Sequence, residues 1–266
     1  MKQLDLFAGI GGFSLAAHWF GIQTTQFVEI DPYCQQVLNR NFSGVPIYAD
    51  ITDYHPRLGE FDIITFGSPC QDFSSANSNG RGLEGERSGL FFKAIRIVRT
   101  VRPRFAIFEN VPNVLNRGFH RILWAFADIG IYDIEWQIIS ASSVGAPHLR
   151  KRLFLIAYPN GAGLEGTKPT EYTGLLTRSC STSPYTQSQR SPWHNSNQAG
   201  TNQASLLGNT FWQQNPHPEP AICRVDAGLP KGVATRQLKA LGNTVVPQCA
   251  AIAYQRIMEI QNQCQF

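Results

Sequence analysis

The sequence predicts an α/β fold in which a mostly parallel sheet is covered by helices on both faces. The first observation is that residues 1–157 alternate short apolar runs with stretches of helical periodicity, which is typical of such sheets. The second is the length of 266 residues, enough for one such core and a small additional module. The third is an ordinary globular composition, 42% hydrophobic and 16% charged, which indicates neither disorder nor a membrane protein.

The predicted elements follow one another from the N-terminus. Apolar runs bounded by turn residues predict the strands, and start signals such as Pro32 after Asp31 predict the helices. The predicted strands are Gln3–Phe7, Thr25–Ile30, Phe61–Gly67, Arg104–Glu109, Tyr132–Ser140 and Arg152–Tyr158, with a short strand before Asp50. The predicted helices are Gly12–Phe20, Pro32–Asn41, Leu90–Val101 and Arg117–Ile129, and periodicity from Thr235 onward predicts a closing helix.

The composition changes after Tyr158. Residues 160–214 are rich in Gly, Ser, Thr, Asn, Gln and Pro, which fits either a disordered linker or a small loop-rich module. Aromatic residues such as Trp193 and Trp212 favour partial order. The chain therefore divides into residues 1–157, 158–235 and 236–266.

Bulk properties exclude several classes of protein. The six cysteines are scattered, without Cys-x-x-Cys spacing, so we expect no metal site and no disulfide framework. The net charge of +4 is compatible with nucleic acid but does not identify it as a partner. The chain enters a strand at once and lacks signal-peptide features, so we expect a cytoplasmic protein without a membrane partner.

A cysteine in a small-residue loop is the most informative feature of the chain. Cys70 lies in the segment GSPCQDFS, which directly follows the apolar run ending at Phe66. This is where an attacking thiolate would be presented. A lone cysteine is more often a buried filler, but Pro69 fixes the backbone before it and the polar Gln71 and Ser74 follow it.

A glycine turn follows the first strand. The strand ends at Phe7, and Gly9 and Gly11 make the turn before the next helix. Glycine lets the backbone pass close to a bound nucleotide at this edge of a sheet. Glu29, at the end of the next strand, would bind ribose hydroxyls. The turn alone fits a nicotinamide cofactor equally well.

Further charged residues lie at the ends of later strands. Glu109 ends a buried strand on the neighbour of the cysteine strand, a costly position for an unused acid. A helix cap is the alternative, although Asn110 could supply it. Arg150 and Arg152 are two residues apart and would share one face of a strand. A solvated basic turn is the other interpretation of these arginines.

These segments resemble, in order, the motifs of the cytosine-5 DNA methyltransferases. The segment Gly67–Ser74 resembles the family's nucleophile motif. Four more segments resemble further family motifs: Asp5–Gly21, Glu109–Val114, Gly145–Ala157 and Arg236–Gln248. His148 stands where the family usually has Gln, and the signature expected upstream of Arg236 is barely recognisable. The resemblance implies a Rossmann-like methyltransferase sheet with a small loop-rich target-recognition region at 158–235.

The resemblance also implies a chemistry. Methyl transfer from S-adenosylmethionine to carbon 5 of a flipped-out cytosine would proceed through a covalent adduct with Cys70. Glu109 would engage ring nitrogen 3, and Arg152 would hold the ring carbonyl oxygen. Arg150 completes the catalytic set and would support the loop or bind a phosphate.

Cofactor and DNA contacts follow from the same resemblance. Phe7 would contact the adenine or methionine portion of the cofactor, and Asp50 and Ile51 would flank the adenine, although Asp50 fits a helix cap as well. The full cofactor set is Phe7, Gly9, Gly11, Glu29, Asp50, Ile51, Pro69 and Asn243. Gln71, Ser74, Arg81 and Arg87, in a loop that would close over the site, would bind double-stranded DNA. We expect a monomer, for which a cognate restriction endonuclease is a possible partner.

Three alternatives remain open from the sequence. A tRNA-directed cytosine-5 enzyme uses the same motifs, but a module between Tyr158 and Arg236 weighs against it. A nicotinamide-dependent oxidoreductase is disfavoured by Cys70 and by the residues around Gly9. A catalytically idle DNA-binding relative is disfavoured because Cys70, Glu109 and Arg152 are all present.

Overall fold

The structure, a computed structural model, describes residues 1–68, 89–130, 132–159 and 231–263. Six of the predicted site residues therefore lie outside the described residues, as does nearly all of the predicted recognition region. Those six residues are Pro69, Cys70, Gln71, Ser74, Arg81 and Arg87.

Within the described residues, seven strands form one sheet in the order β3-β2-β1-β4-β5-β7-β6. The strands are β1 Lys2–Leu6, β2 Gln23–Val28, β3 Ile47–Tyr48, β4 Ile63–Phe66, β5 Phe105–Asn110, β6 Tyr132–Ser140 and β7 Lys151–Pro159. Strands β1 to β5 pair in parallel, whereas β7 is antiparallel to both β5 and β6. The expectation of a mostly parallel sheet is confirmed.

The described helices are α1 Gly12–Trp19, α2 Pro32–Asn41, α3 Gly89–Val101, α4 Phe119–Ala127, α5 Lys231–Asn243 and α6 Pro247–Gln263. The single closing helix that periodicity predicted is in fact two helices. Thr244 N donates to Ala240 O at the end of α5, and Pro247 begins α6. A proline disfavours helical backbone at the residue before it, so the helix breaks there. Among the described helices, none is long and apolar enough to cross a membrane.

Strand alternation divides the core into two layers. Ile63, Ile107 and Phe154 face the layer that contains α1 and α6. Their neighbours Ile64 and Phe108 face the layer of α3 and α4. Strands β4 and β5 are buried along their whole length, which is why they appear in the sequence as continuous apolar runs.

A buried polar network lies in the layer of α1 and α6. Asp5 accepts hydrogen bonds from Ser14 Oγ and Thr65 Oγ1, each at 2.7 Å. Beside it, Tyr254 of α6 donates to Gln3 Oε1 at 2.7 Å. Burial raises the pKa of Asp5 to about 7, against the lowering effect of the two hydroxyl donors. The network joins β1, α1, β4 and α6 under the site.

An ion pair holds α6 against the antiparallel strands. Arg256 donates from Nε and Nη2 to the two carboxylate oxygens of Glu135, both at 2.9 Å. Tyr158 OH donates to the same carboxylate at 2.9 Å. The guanidinium and the carboxylate are both largely buried, so loss of either partner would leave a buried charge without compensation.

Candidate active site

The C-terminal ends of the parallel strands meet at one edge of the sheet. Phe7 follows β1, Glu29 follows β2, Gly67 follows β4 and Glu109 lies near the end of β5. A small cleft opens at this edge, where the turn between α5 and α6 faces the strand ends. It is lined by Phe7, Ala8, Gly9, Phe13, Gly67, Glu109, Asn243, Thr244 and Val245. Ligands of open α/β sheets bind at this edge.

The glycine turn depends on its glycines for two different reasons. Gly9 has φ +57°, in the left-handed region that most side chains disfavour. At Gly12 the limit is space, since an added Cβ would lie 2.5 Å from Val245 O. The backbone of the α5–α6 turn thus packs directly on the start of α1. Phe7 adopts a positive φ of 54° without being glycine, a conformation whose strain the surrounding fold must offset.

Glu29 stabilises the glycine turn by accepting a hydrogen bond from its backbone. Its Oε2 accepts from Gly9 N at 2.7 Å, and its Oε1 accepts from Asp31 N at 2.8 Å. The side chain is 8% exposed. A carboxylate can accept about four hydrogen bonds, so these two leave capacity for the hydroxyls of a ligand.

Asp50 and Ile51 lie in a turn after β3. Asp50 Oδ1 accepts from Thr52 N at 2.8 Å, which lowers the pKa of this carboxyl. No helix begins at residues 51–53, so Asp50 closes a turn and does not cap a helix. Ile51 is 4% exposed within the core, and Arg96 Nη2 donates to its carbonyl oxygen at 2.9 Å.

Glu109, which lines the cleft, forms an ion pair with Arg152. Arg152 Nε lies 3.0 Å from Glu109 Oε1, because β5 and β7 pair side by side and place both residues on the same face. An added Cβ on Gly67 would lie 2.9 Å from Glu109 Oε2. Burial raises the pKa of Glu109, although Arg152 and then Arg150 oppose this shift. The site thus holds an acid that keeps its proton to higher pH than usual, with one oxygen fixed by a cation.

The two arginines that share a face contact different parts of the site. Arg150 Nη2 donates to Gly242 O and to Thr244 O, each at 2.7 Å. These carbonyls flank Asn243, which lines the cleft. Arg152 therefore pairs with Glu109, whereas Arg150 binds the backbone of the turn between α5 and α6.

Sequence reasoning missed several residues of this edge. Asp5 and Thr65 form the hydrogen-bonded network below the cleft, and Thr244 and Val245 form one of its walls. For Asp5 a signal was available, since a charged residue inside an apolar strand is costly unless it is partnered. Thr244 and Val245 lie in the segment Arg236–Gln248, whose resemblance to a family motif was the available signal, although only Asn243 was assigned to the cofactor from it.

The sheet order and the glycine turn define a Rossmann-like α/β protein. The sequence model of the C-5 cytosine-specific DNA methylases matches residues 1–222, and the chain belongs to this family.

Individual relatives agree with this family. Type II methyltransferase M2.BsuMI of Bacillus subtilis is 36% identical over 165 residues, covering 59% of this chain and 42% of that protein. Type II methyltransferase M.HhaI of Haemophilus parahaemolyticus is 32% identical over 169 residues, covering 62% and 51%. The chain thus spans about half the length of the curated relatives it matches.

A solved structure resembles the fold. The Dnmt2 methyltransferase of S. pombe superposes with a TM-score of 0.51 at 18% sequence identity. The superposition covers 68% of this chain and 57% of that one. At this identity the likeness shows the shared fold alone.

Proposed function

We propose that this protein is a DNA (cytosine-5-)-methyltransferase that uses S-adenosylmethionine. The observation that carries the proposal is the ion pair between Arg152 and the buried Glu109, which lines a cleft together with the glycine turn. Membership of the C-5 cytosine-specific DNA methylase family supports the same reaction.

The cleft residues fit the cofactor. Positive φ at Gly9 and Gly11 opens the turn, and Glu29 retains acceptor capacity for ribose hydroxyls. Phe7 would contact the adenine or methionine portion of the cofactor. Asp50, Ile51, Pro69 and Asn243 complete the proposed set. When bound, S-adenosylmethionine supplies a methyl group activated by the sulfonium charge.

Cys70 and Glu109 would make the cytosine reactive. Carbon 5 of cytosine is too weak a nucleophile on its own. We propose that the Cys70 thiolate adds to carbon 6, which breaks the 5,6 double bond and directs its electron pair toward carbon 5. Glu109 would donate its proton to ring nitrogen 3, offsetting the negative charge that develops. In the sequence Cys70 comes two residues after Ser68, and the strand that precedes it, β4, pairs with the strand of Glu109, β5.

Arg152 would hold the ring and the acid together. Its Nε already contacts Glu109 Oε1, and a guanidinium has further N–H groups for the ring carbonyl oxygen. After carbon 5 has gained the methyl group, its proton leaves to a base. The Cys70 thiolate is then expelled and nitrogen 3 returns its proton to Glu109, which restores the 5,6 double bond and frees the enzyme.

The substrate would be double-stranded DNA with the target base turned out of the helix, because carbon 6 is not accessible to a thiolate inside the stack. Gln71, Ser74, Arg81 and Arg87 would contact the DNA around that base, and residues 158–235 would read base edges. We propose a cytoplasmic monomer, for which a restriction endonuclease of the same specificity would be a suitable partner.

Labelled S-adenosylmethionine tests this proposal. The purified protein is incubated with methyl-labelled cofactor and either duplex DNA or tRNA, and Cys70→Ser is run in parallel. We expect label in DNA as 5-methylcytosine with the wild type, and none with the variant, which should still bind the cofactor. Label in tRNA alone would move the substrate to RNA. Turnover by Cys70→Ser near the wild-type rate would reduce Cys70 to a packing residue.

A further inference from the structure

The turn between α5 and α6 packs on the start of α1 through Val245, and the ion pair on the neighbouring part of α5 is a weak one. The turn crosses the edge of the sheet at Gly242–Val245, and it forms a wall of the cleft. The nearest ion pair on α5 joins Lys239 Nζ to Asp31 Oδ2 at 3.8 Å, with both side chains well exposed. Pairs of this kind contribute little to stability.

Arg150 supplies a further attachment. Its Nη2 donates to the carbonyl oxygens of Gly242 and Thr244, each at 2.7 Å. Both carbonyls lie at the C-terminal end of α5, where helix carbonyls lack partners and carry partial negative charge. A guanidinium there satisfies two acceptors and complements that charge. Hydrogen bonds from a charged group are among the strongest that proteins make.

The position of this turn sets the width of the cleft. Gly12 has no room for a Cβ beneath Val245 O, and Thr244 Oγ1 lies 3.9 Å from the position of a Cβ on Gly9. The turn therefore sits at contact distance above the backbone that would hold the cofactor. A shift of the turn would therefore alter the shape of the cofactor pocket more than the position of Glu109.

We infer that Arg150 is a positioning residue. It holds the turn between α5 and α6 in place as a wall of the cofactor cleft, and it does not act on the target base. The inference rests on the proposed function, because it concerns the cofactor which that function uses. The two neighbouring arginines thus have separate roles. Arg152 binds the carboxylate of Glu109, and Arg150 holds the turn that forms a wall of the cofactor cleft.

The variant Arg150→Ala should fold, because α6 is held by other contacts. Arg256 pairs with Glu135, and Tyr254 bonds Gln3, both far along α6 from the turn. Arg150→Lys keeps the charge and can reach at least one carbonyl, so it should restore part of the effect. Arg99→Ala, at an exposed pair with Asp128, controls for the loss of one positive charge.

Two measurements test this role of Arg150. Calorimetric titration with S-adenosylmethionine should show the dissociation constant of Arg150→Ala raised roughly 10- to 100-fold, the range that one or two hydrogen bonds to a charged group correspond to. Arg150→Lys should be intermediate and Arg99→Ala unchanged. Hydrogen exchange should show faster exchange of the Thr244 amide, which bonds Ala240 O in the wild type. Turnover at saturating cofactor should fall no more than a few-fold in Arg150→Ala. It is measured at several pH values, because Arg150 also lowers the pKa of Glu109.

The outcomes separate the two proposals. If the wild type binds no S-adenosylmethionine, the proposed function fails. If the wild type binds it and Arg150→Ala binds it equally well, with Thr244 exchange unchanged, only the positioning role of Arg150 is overturned. A large loss of turnover at saturating cofactor, with the dissociation constant unchanged, would likewise overturn it by placing Arg150 at the base.

Discussion

At the scale of single residues, the environment of Glu109 shows how a strand end becomes a reactive site. The residue is only 7% exposed. This burial raises the pKa of its carboxyl, and Arg152 Nε lies 3.0 Å from one of its oxygens. The other oxygen lies 2.9 Å from the position that a Cβ on Gly67 would occupy. An acid held in one orientation with a retained proton is suited to donate to a ring nitrogen.

Glu109→Gln should slow covalent trapping of the enzyme by DNA that carries 5-fluorocytosine at the target. Fluorine cannot leave as a proton does, so the wild type should remain attached through Cys70. Glutamine cannot supply the proton, and we expect trapping to slow by about 100-fold or more. The rate is read from denaturing gels, with Glu60→Gln on the surface as the control. Trapping at the wild-type rate would assign the acid to another group.

The pH dependence of trapping follows from the raised pKa of Glu109. A raised pKa means that the carboxyl keeps its proton to higher pH and loses it as the pH passes that value. Wild-type trapping should therefore decline on the alkaline side, and Glu109→Gln should lack this decline. An identical alkaline limb in both proteins would show that Glu109 does not titrate in the step.

Gly67→Ala should impair catalysis with little effect on stability. The new Cβ would lie 2.9 Å from Glu109 Oε2, so the carboxyl must move, and misplacement near 1 Å can cost about 100-fold in rate. Gly89→Ala is the matched control, since none of the described residues lies within 4 Å of its added Cβ. Rates and urea unfolding are measured for both. A Gly67→Ala enzyme as active as the control would show that the position of Glu109 is not critical.

At the scale of elements, the polar network explains how β1, β4 and α1 hold a fixed relation under the cleft. Asp5 of β1 bonds Ser14 of α1 and Thr65 of β4. These elements carry the glycine turn and the strand that leads to Cys70. Because buried polar groups are costly unless they are all partnered, such a network favours one arrangement of the elements over others.

Asp5→Asn should remove a pH dependence from the stability of the protein. The pKa of Asp5 is raised from 3.8 to about 7 in the folded state. The folded protein thus binds this proton more tightly than the unfolded chain does. The free energy of unfolding should fall as the pH rises from about 4 to 7, by an amount on the order of 4 kcal/mol, and then level off.

The difference between wild type and variant isolates Asp5 from other titrating groups. Asparagine can accept from one hydroxyl and donate to the other, so the network can persist. Urea unfolding at several pH values should show the wild type losing stability relative to Asp5→Asn as the pH rises. Asp53→Asn, at an exposed turn, controls for the loss of a carboxylate. A difference that does not change between pH 5 and 8 would refute the shifted pKa.

At the scale of the whole molecule, the last described segment packs against the first elements of the chain. Helix α6 packs on α1, and the turn before it covers the glycine turn. Strand β7 runs antiparallel to β5, so Pro159 lies at the edge of the sheet opposite the cleft, whereas the turn between α5 and α6 lies at the cleft. In the sequence, residues 160–230 connect these two parts and carry most of the predicted recognition region.

Replacement of residues 160–214 by a Gly/Ser linker should spare cofactor binding and remove sequence-selective methylation. The glycine turn, Glu109 and the α5–α6 turn all lie outside the replaced segment, whereas base-edge contacts would come from it. Weak, salt-sensitive binding through phosphates should persist. Methylated cytosines are mapped by bisulfite sequencing. Modification of the same sites at the same relative rates would make the segment a tolerated linker.

The sequence by itself determined the order of elements and the strand ends at which charged residues gather. The bounds Pro32–Asn41 and Tyr132–Ser140 agree with the prediction to the residue, because local propensity, caps and periodicity decide such elements. Glu109 and the glycine turn were likewise predicted, since an acidic residue in a buried strand and a cluster of glycines can be recognised in the sequence alone.

Only the tertiary structure decided which of these groups touch. Arg150 meets carbonyls 92 and 94 residues away, and Asp5 meets Thr65 across 60 residues. The break between α5 and α6 also places Thr244 and Val245 in the cleft, where a single closing helix was predicted. Contacts between residues so far apart in the sequence depend on how the helices pack on the sheet, and the type of a side chain does not indicate its distant partner. Local sequence preferences thus determine where helices and strands form, whereas tertiary packing determines which of them lie next to one another.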